Sequence, residues 1–358
     1  QYGFEVNGFK TDFNFFNQLG LKVEQTQFTS ELGAFVKYRK VIGPEKFVIE
    51  PSFRVQFYSS LSTISPEPRL GIKYNFSEKV RFKAGTGFYS QNLISTKSDQ
   101  DVVNLFTGFL SGPDETITRP NGEDAKHKLQ KSFHVVGGIE YDPIDKLELT
   151  VEPYLKQFTQ LIQINRNKLF PTDPDFTAET GKAYGIDFLA KYQDKRLFLW
   201  LAYSLGWVTR TDSDQTYNPH YDRRHNANVV ASYTLGDKMD WEISARWNMG
   251  SGFPFTKTQG FYESINFLDG VSTDYTTVNG DLGIIYEDEL NQGRLPYYHR
   301  LDLSGKKKFN FTERVKMEVV VSVTNVYDRE NVFFFDRVRY ERVNQLPILP
   351  SLALNLSF

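Results

Sequence analysis

The chain has 358 residues, with 25 glycines, 15 prolines, no cysteine and a net charge of −2. The missing cysteines exclude disulfide frameworks and thiolate metal sites, and the near-neutral charge without basic blocks excludes the footprint of a nucleic-acid binder. Mean hydropathy is −0.45, and the longest uncharged apolar run, Leu197–Val208, is shorter than the roughly 20 residues a membrane-spanning helix needs; a membrane β-barrel escapes that test, because half of each strand faces a polar interior.

Period-two alternation recurs along the whole chain, whereas helical periodicity is weak. It predicts an all-β protein with strands near 2–9, 28–41, 46–58, 67–76, 80–93, 131–141, 147–164, 181–192, 196–210, 225–235, 239–251, 299–311, 315–327 and 347–358. Trp241, Ile243, Ala245 and Trp247, for example, oppose Glu242, Ser244, Arg246 and Asn248. The phase slips near Gln157–Phe158, which predicts a β-bulge. The last seven residues alternate Leu352, Leu354, Leu356 and Phe358 against Ala353, Asn355 and Ser357. A terminal strand that keeps its pattern to an aromatic last residue suits the closing strand of a barrel better than a frayed soluble terminus.

The connections alternate between tight and long. Tight turns fall at Gly43–Glu45, Ser77–Lys79, Asp142–Lys146, Gln193–Lys195, Gly236–Lys238 and Thr312–Arg314; long loops are expected at 10–27, 59–66, 94–130, 165–180, 211–224, 252–298 and 328–346. Short turns at one rim and long loops at the other are the signature of an antiparallel transmembrane β-barrel of the outer membrane, with outer-membrane lipid and lipopolysaccharide as its surroundings. The tight turns then face the periplasm, and Phe358 lies at the periplasmic rim. The charged set, with Arg54, Arg81, Lys83, Glu148, Glu152, Glu242 and Arg246 foremost, is expected to face the lumen. The opening residues Gln1–Phe4 show neither a charged n-region nor an apolar h-region, so an exported barrel is expected to have further sequence upstream.

No enzyme constellation is present. The five histidines, His127, His134, His220, His225 and His299, are scattered with no metal-ligand spacing, and Gly85-x-Gly87 and Gly250-x-Gly252 lack the following helix of a dinucleotide site. The acidic residues Asp281, Glu287, Asp288 and Glu289 do not follow an EF-hand spacing and read as a solvated loop. Neither a metal nor a cofactor is expected. The candidate substrate-binding residues are loop aromatics: Phe106 and Phe109 in one loop, and Phe253, Phe255, Phe261, Tyr262, Phe267 and Tyr275 in the longest. Such rings capture a ligand by stacking, or else pack the loops over the barrel mouth.

Several motifs carry a family resemblance. Ser65–Tyr74 with Phe82–Tyr89, Gly181-Lys-Ala-Tyr-Gly-Ile-Asp187, Tyr221-Asp-Arg-Arg-His225, Gly250-Ser-Gly-Phe-Pro-Phe-Thr256, Leu295-Pro-Tyr-Tyr-His-Arg-Leu-Asp-Leu303 and Thr324-Asn-Val-Tyr-Asp-Arg-Glu-Asn331 occur in the order found in TonB-dependent receptors of the Bacteroidetes type. The sequence resembles that family from residue 65 to the closing Phe358, with Asp187 and Phe255 standing where Glu and Tyr are commoner. The resemblance implies energised uptake of a scarce nutrient (siderophore, vitamin, glycan or peptide) driven by the TonB complex through an N-terminal plug, and a terminal Phe358 read by the barrel-assembly machinery. Such barrels have about 22 strands, against about fourteen here. The expectation is therefore that residues 1–358 are the C-terminal portion of a larger barrel, with the plug and first strands upstream or in a separate chain; the alternative is that the chain closes alone, fourteen being an acceptable even number of strands. A surface lipoprotein partner is compatible with this pattern but not indicated by it. The rival readings are a passive porin-like channel and a barrel within a larger secretion or surface assembly.

Overall fold

The computed structural model describes residues 1–17, 21–44, 46–97, 108–113, 115–125, 127–166, 168–264, 281–312 and 314–358, the side chains of 264 and 281 excepted. Fourteen strands follow one another in a single antiparallel meander: β1 (Tyr2–Phe16), β2 (Lys22–Lys37), β3 (Phe47–Tyr58), β4 (Thr63–Asn75), β5 (Val80–Gln91), β6 (Gln130–Ile144), β7 (Leu147–Ile164), β8 (Phe176–Gln193), β9 (Leu197–Thr211), β10 (His225–Leu235), β11 (Trp241–Gly250), β12 (Tyr298–Asn310), β13 (Lys316–Thr324) and β14 (Leu349–Ser357). No described helix is long and apolar enough to cross a membrane, a test that leaves strands aside. The expected strand order stands, and the anticipated bulge lies in β7, where the registers with β6 and β8 shift just after Phe158.

Three expected long loops are corrected. Residues 10–16 continue β1 and residues 22–27 begin β2, in unbroken register from Tyr2↔Val36 to Phe16↔Lys22, so 10–27 is mostly strand. Residues 63–66 likewise start β4, and residues 176–180 start β8. The remaining long connections, 92–129, 165–175, 212–224, 251–297 and 325–348, all lie at one rim. At the other rim the turns are tight, and two of them need a left-handed residue, supplied by Gly43 (φ 71°) and Gly236 (φ 82°).

Cross-strand register makes directly opposed residues share a face. One face is apolar: Leu199, Leu201, Val229, Trp241, Ile243, Leu303, Val321, Leu352, Leu354 and Leu356 project from it. All but the half-buried Val229 are exposed, the three leucines of β14 at 61–66%. Large apolar groups left bare in ordered rows need a non-aqueous neighbour, which a bilayer provides. The opposite face carries the charges, and these pair across strands. Arg81 bonds Glu140 at 2.8 Å and Asp142 at 2.6 Å, Arg54 meets Glu5 at 2.5 Å, and Lys306 meets Glu242 at 2.8 Å; Lys83 also pairs with Glu140.

The charged face is the inner one. Asn17, at the tip of the β1–β2 hairpin, donates to the carbonyl of Lys168 in the β7–β8 connection at 2.7 Å. The first eight strands therefore curl toward each other at the long-loop rim. The 92–129 connection folds into this curl. Ser111 hydrogen-bonds Thr11 and Thr29, each at 3.0 Å, and Ile94, Leu110 and Ile117 bury themselves against Val23, Ile162, Ile164 and Phe176.

The two faces of one strand should respond oppositely to charge. Val229→Arg on the apolar face of β10 is expected to lower stability by about 2–4 kcal/mol in lipid vesicles. Asn228→Arg, on the inner face one residue away, is expected to change it far less; urea unfolding of the vesicle-embedded protein measures both.

Candidate functional site

The long-loop rim is held by side chains that fasten the connections to the strands. Asp222 is fully buried just before β10. Its carboxylate accepts from the Val208 backbone N–H at 3.1 Å and from Arg294 at 2.7 Å, with Arg224 at 3.5 Å. Arg294 also donates to the carbonyl oxygens of Asp222 and Gly252. The neighbouring Arg223 lies over the Phe253 ring at 4.1 Å, and burial pushes its guanidinium below the ordinary arginine range. A side chain at Gly250 would collide with Arg223, and one at Gly252 with the backbone of Leu295. The two glycines thus let the 212–224 and 251–297 connections close on one another.

A second clamp joins the start of β12 to the 325–348 connection. Asn325, fully buried and left-handed (φ 54°), donates to the carbonyls of Arg329 and Leu346 at 3.0 and 3.2 Å, while its N–H donates to Asp302 at 3.0 Å. Asn331 exchanges two hydrogen bonds with the backbone of His299. His299 and His225 each bond a tyrosine hydroxyl, Tyr327 at 2.7 Å and Tyr203 at 2.8 Å. Asp222, Arg223, Gly250, Gly252, Asn325 and Asn331, all within motifs that stood out in the sequence, therefore act as rim clamps.

The five described candidate aromatics do not converge. Phe106, Phe267 and Tyr275 lie outside the described residues. Phe253 packs under Arg223, and Phe255 sits against Gly293 and 6.2 Å from Phe335. Phe261 meets Tyr340 edge-on at 6.2 Å. Tyr262 faces a cavity of 540 Å³ whose other walls include Asp212, Asp214 and Asp288. Phe109, 56% exposed, lines a different and larger cavity. Of the seven foremost charges, Arg54, Arg81, Lys83 and Glu242 are ion-paired, Glu148 stands opposite Lys191 and Arg246 opposite Asp302, and Glu152 packs beside Gly138.

The larger cavity, of about 690 Å³, lies on the inner face beneath the 92–129 connection. Its floor is a ladder of rings. Tyr89 stacks on His134 at 4.5 Å, His134 meets Phe158 edge-on at 6.1 Å, and the Arg69 guanidinium lies over the Tyr89 ring at 4.3 Å. Arg210 and Tyr221 form the opposite wall. Sequence reasoning missed these residues, because inner-face rings inside strands look like wall filling. The one available signal was Phe158, an aromatic at the point where the alternation slips.

The sequence profile of the family described as TonB dependent receptor-like, beta-barrel matches residues 2–326. No curated protein sequence matches the chain. Among solved structures, the ferripyoverdine receptor of the outer membrane of Pseudomonas aeruginosa superposes with a TM-score of 0.60 at 11% identity, over 93% of this chain and 39% of that one. The ferric-catecholate import receptor Fiu of K12 E. coli gives 0.60 at 13%, over 95% and 46%. The FrpB iron transporter of Neisseria meningitidis gives 0.62 at 12%, over 93% and 46%. The chain thus spans less than half the length of these structures, and at such identities the likeness speaks to fold alone.

Two outcomes are expected at the rim. Asp222→Ala leaves the Val208 N–H and two guanidinium groups without their carboxylate, at a cost of about 3 kcal/mol; limited proteolysis should then cut 212–224 and 281–297 faster while the strands persist. His127, in the inward-folded connection, is pushed down to about 4 by burial and by Lys131 and Arg119. Its neutral form is favoured only while the connection stays packed. Packing is therefore undiminished above about pH 6.5 and weakens as pH falls toward 4. Protease sensitivity of 108–125 should rise over that interval, and His127→Gln should flatten the rise.

Proposed function

The chain belongs to the TonB dependent receptor-like β-barrel family, and from that membership we propose that it forms the barrel wall of an outer-membrane importer that takes up a scarce nutrient by energy drawn through TonB. The observation that carries the reading is the two-faced meander. Fourteen consecutive strands turn an apolar face outward and ion-paired charges inward, with all the long connections at one rim. Lipid requires the first feature, and a hydrated passage requires the second.

In this reading the charged face lines the lumen, and the long-loop rim faces the exterior. The tight turns and Phe358 then lie at the periplasmic rim, where the terminal aromatic serves barrel assembly. Lipid and lipopolysaccharide surround the apolar face. The chain supplies the C-terminal portion of a barrel of about 22 strands, and the plug that TonB engages belongs to other sequence of the receptor. Support comes from the share of the solved receptors that the chain covers, 39% of one and 46% of two others. Those receptors handle ferripyoverdine, ferric catecholates and iron, and a chelated-metal nutrient is the corresponding proposal here. Substrate passes by loop capture, plug movement and release, with no covalent chemistry. A surface lipoprotein partner is not needed for this scheme.

The test is growth of a deletion strain on defined iron, vitamin and glycan sources, paired with a strain lacking TonB. Loss of growth on the same source in both strains is expected. Uptake that persists without TonB would overturn the energised mechanism in favour of a passive channel.

A further inference from the structure

The seam between β4 and β5 is interrupted. At the base of β4 the Asn75 N–H donates to the Lys46 carbonyl, toward β3, and the Phe76 N–H donates to the Val80 carbonyl, toward β5. Odd positions of β4 therefore face β3, and even positions face β5. The β4–β5 ladder runs from Asn75↔Arg81 to Arg69↔Gly87 and stops there, although β4 continues to Thr63 and β5 to Gln91. In unchanged register the next even positions of β4 stand opposite Phe88 and Ser90. Those positions are Pro68 and Pro66, and proline has no N–H to give a ladder. Each flank is intact on its other side, since β3–β4 pairing extends to Tyr58↔Thr63 and β5–β6 pairing to Gln91↔Gln130. The gap thus belongs to this seam and not to frayed strand ends.

A side chain spans the gap. The Ser90 N–H and hydroxyl both donate to the Glu67 carboxylate, at 2.8 and 2.6 Å, and the same hydroxyl shares a hydrogen bond with Tyr58 at 3.1 Å. Glu67 is only 3% exposed and is also paired with Arg69 at 2.5 Å. A carboxylate that accepts a backbone N–H makes a stronger bond than the neutral ladder bond it replaces, yet it is a single point of attachment, whereas the lower seam has seven successive pairs. Inside the wall the 92–129 connection crosses the same seam. Its start is tied to the β5–β6 side, because Gln91 and Gln130 both donate to the Leu93 carbonyl, at 2.7 and 2.8 Å. Its far part reaches the β1–β2 side through Ser111, bonded to Thr11 and Thr29.

We propose that β1–β4 form a panel of the wall that swings away from β5 about the intact lower seam, with Glu67 as the latch that holds it shut at the long-loop rim. Releasing the carboxylate breaks both Ser90 bonds at once, and no row of ladder bonds stands behind them. The Ser111 hydroxyl bonds are then the remaining tie across the gap, and neutral bonds of that kind contribute about 1 kcal/mol each. Residues 69–75 and 81–87 stay paired while the panel moves, so the wall parts at the rim and remains closed lower down, where lipid makes unpaired backbone costly. The two prolines set the height at which parting begins. Panel motion of this kind is independent of what the receptor carries.

The test uses the full-length receptor in lipid vesicles. The chain has no cysteine of its own, so spin labels at Ile64→Cys and Phe88→Cys report on the upper seam. Labels at Ile72→Cys and Ala84→Cys, which stand directly opposite each other, report on the lower one. Glu67→Ala is expected to abolish dipolar broadening between the upper pair while the lower pair keeps it. Pro66→Thr with Pro68→Val returns two N–H donors to the seam and should restore the upper broadening in the Glu67→Ala background. Hydrogen exchange of the unlabelled protein gives a second reading: amides of 86–92 should exchange about tenfold faster in Glu67→Ala, and no faster than in the original protein once the prolines are also replaced. Upper broadening and exchange both unchanged in Glu67→Ala would overturn the latch. Faster exchange with upper broadening retained would mean a local loss of hydrogen bonds and overturn the panel motion, and broadening lost from both pairs would overturn the hinge. An effect of Glu67→Ala that persists after proline replacement would overturn the role of the interrupted ladder.

Discussion

In hydrocarbon a backbone N–H or C=O without a partner costs several kcal/mol, and water is not there to relieve it. Every other feature of this chain follows from that constraint. It forces strands into one continuous ladder, and the ladder forces side chains to alternate between lipid and interior. The register from β9 to β14 shows how strictly the rule is kept. Each residue of β13 from Lys316 to Thr324 has a partner on β14, and the pattern runs unbroken from Lys316↔Ser357 to Thr324↔Leu349. With the outward positions committed to Leu, Val, Ile and aromatics, all chemistry that distinguishes one barrel from another is confined to the inner face and the rim.

The same constraint explains what could be read from sequence. Strands β3 to β14 were legible because each crosses the apolar belt and must show large apolar residues every second position. The ends of β1 and β2 were not, for a physical reason. Beyond the belt the outward residues are Lys10, Asp12 and Asn14 on one strand and Lys22, Glu24 and Thr26 on the other. There the inner face carries Phe13, Phe15 and Val23, packed against the inward-folded connection, so the alternation reverses its phase and a strand read by the belt's pattern looks like loop. The inward folding of 92–129 was equally hidden, since Ser111 meets Thr11 and Thr29 across 100 and 82 residues of sequence. The cavity floor draws on β5, β6 and β7, a convergence that alternation within any one strand does not reveal.

The rim motifs show a second use of buried polar groups. Asp222 and Asn325 are shielded completely from solvent, yet their side chains bond backbone or arginine at the connections, and the Asn325 N–H bonds Asp302. A buried carboxylate or amide so placed specifies one arrangement of irregular chain, because any other arrangement leaves it unsatisfied. Loops of this length would otherwise sample many conformations. The local sequence signature is strong because the geometry admits few alternatives: Asn tolerates the left-handed backbone at 325, and only glycine fits at 252 against Leu295.

Pairing along the inner wall follows from one electrostatic consideration. A charge held near a low-dielectric wall is stabilised by an opposite charge at hydrogen-bond distance, and the Arg81–Glu140–Lys83–Asp142 group meets that need within the wall itself. With two cations and two carboxylates the group is balanced and presents no net charge to a passing solute.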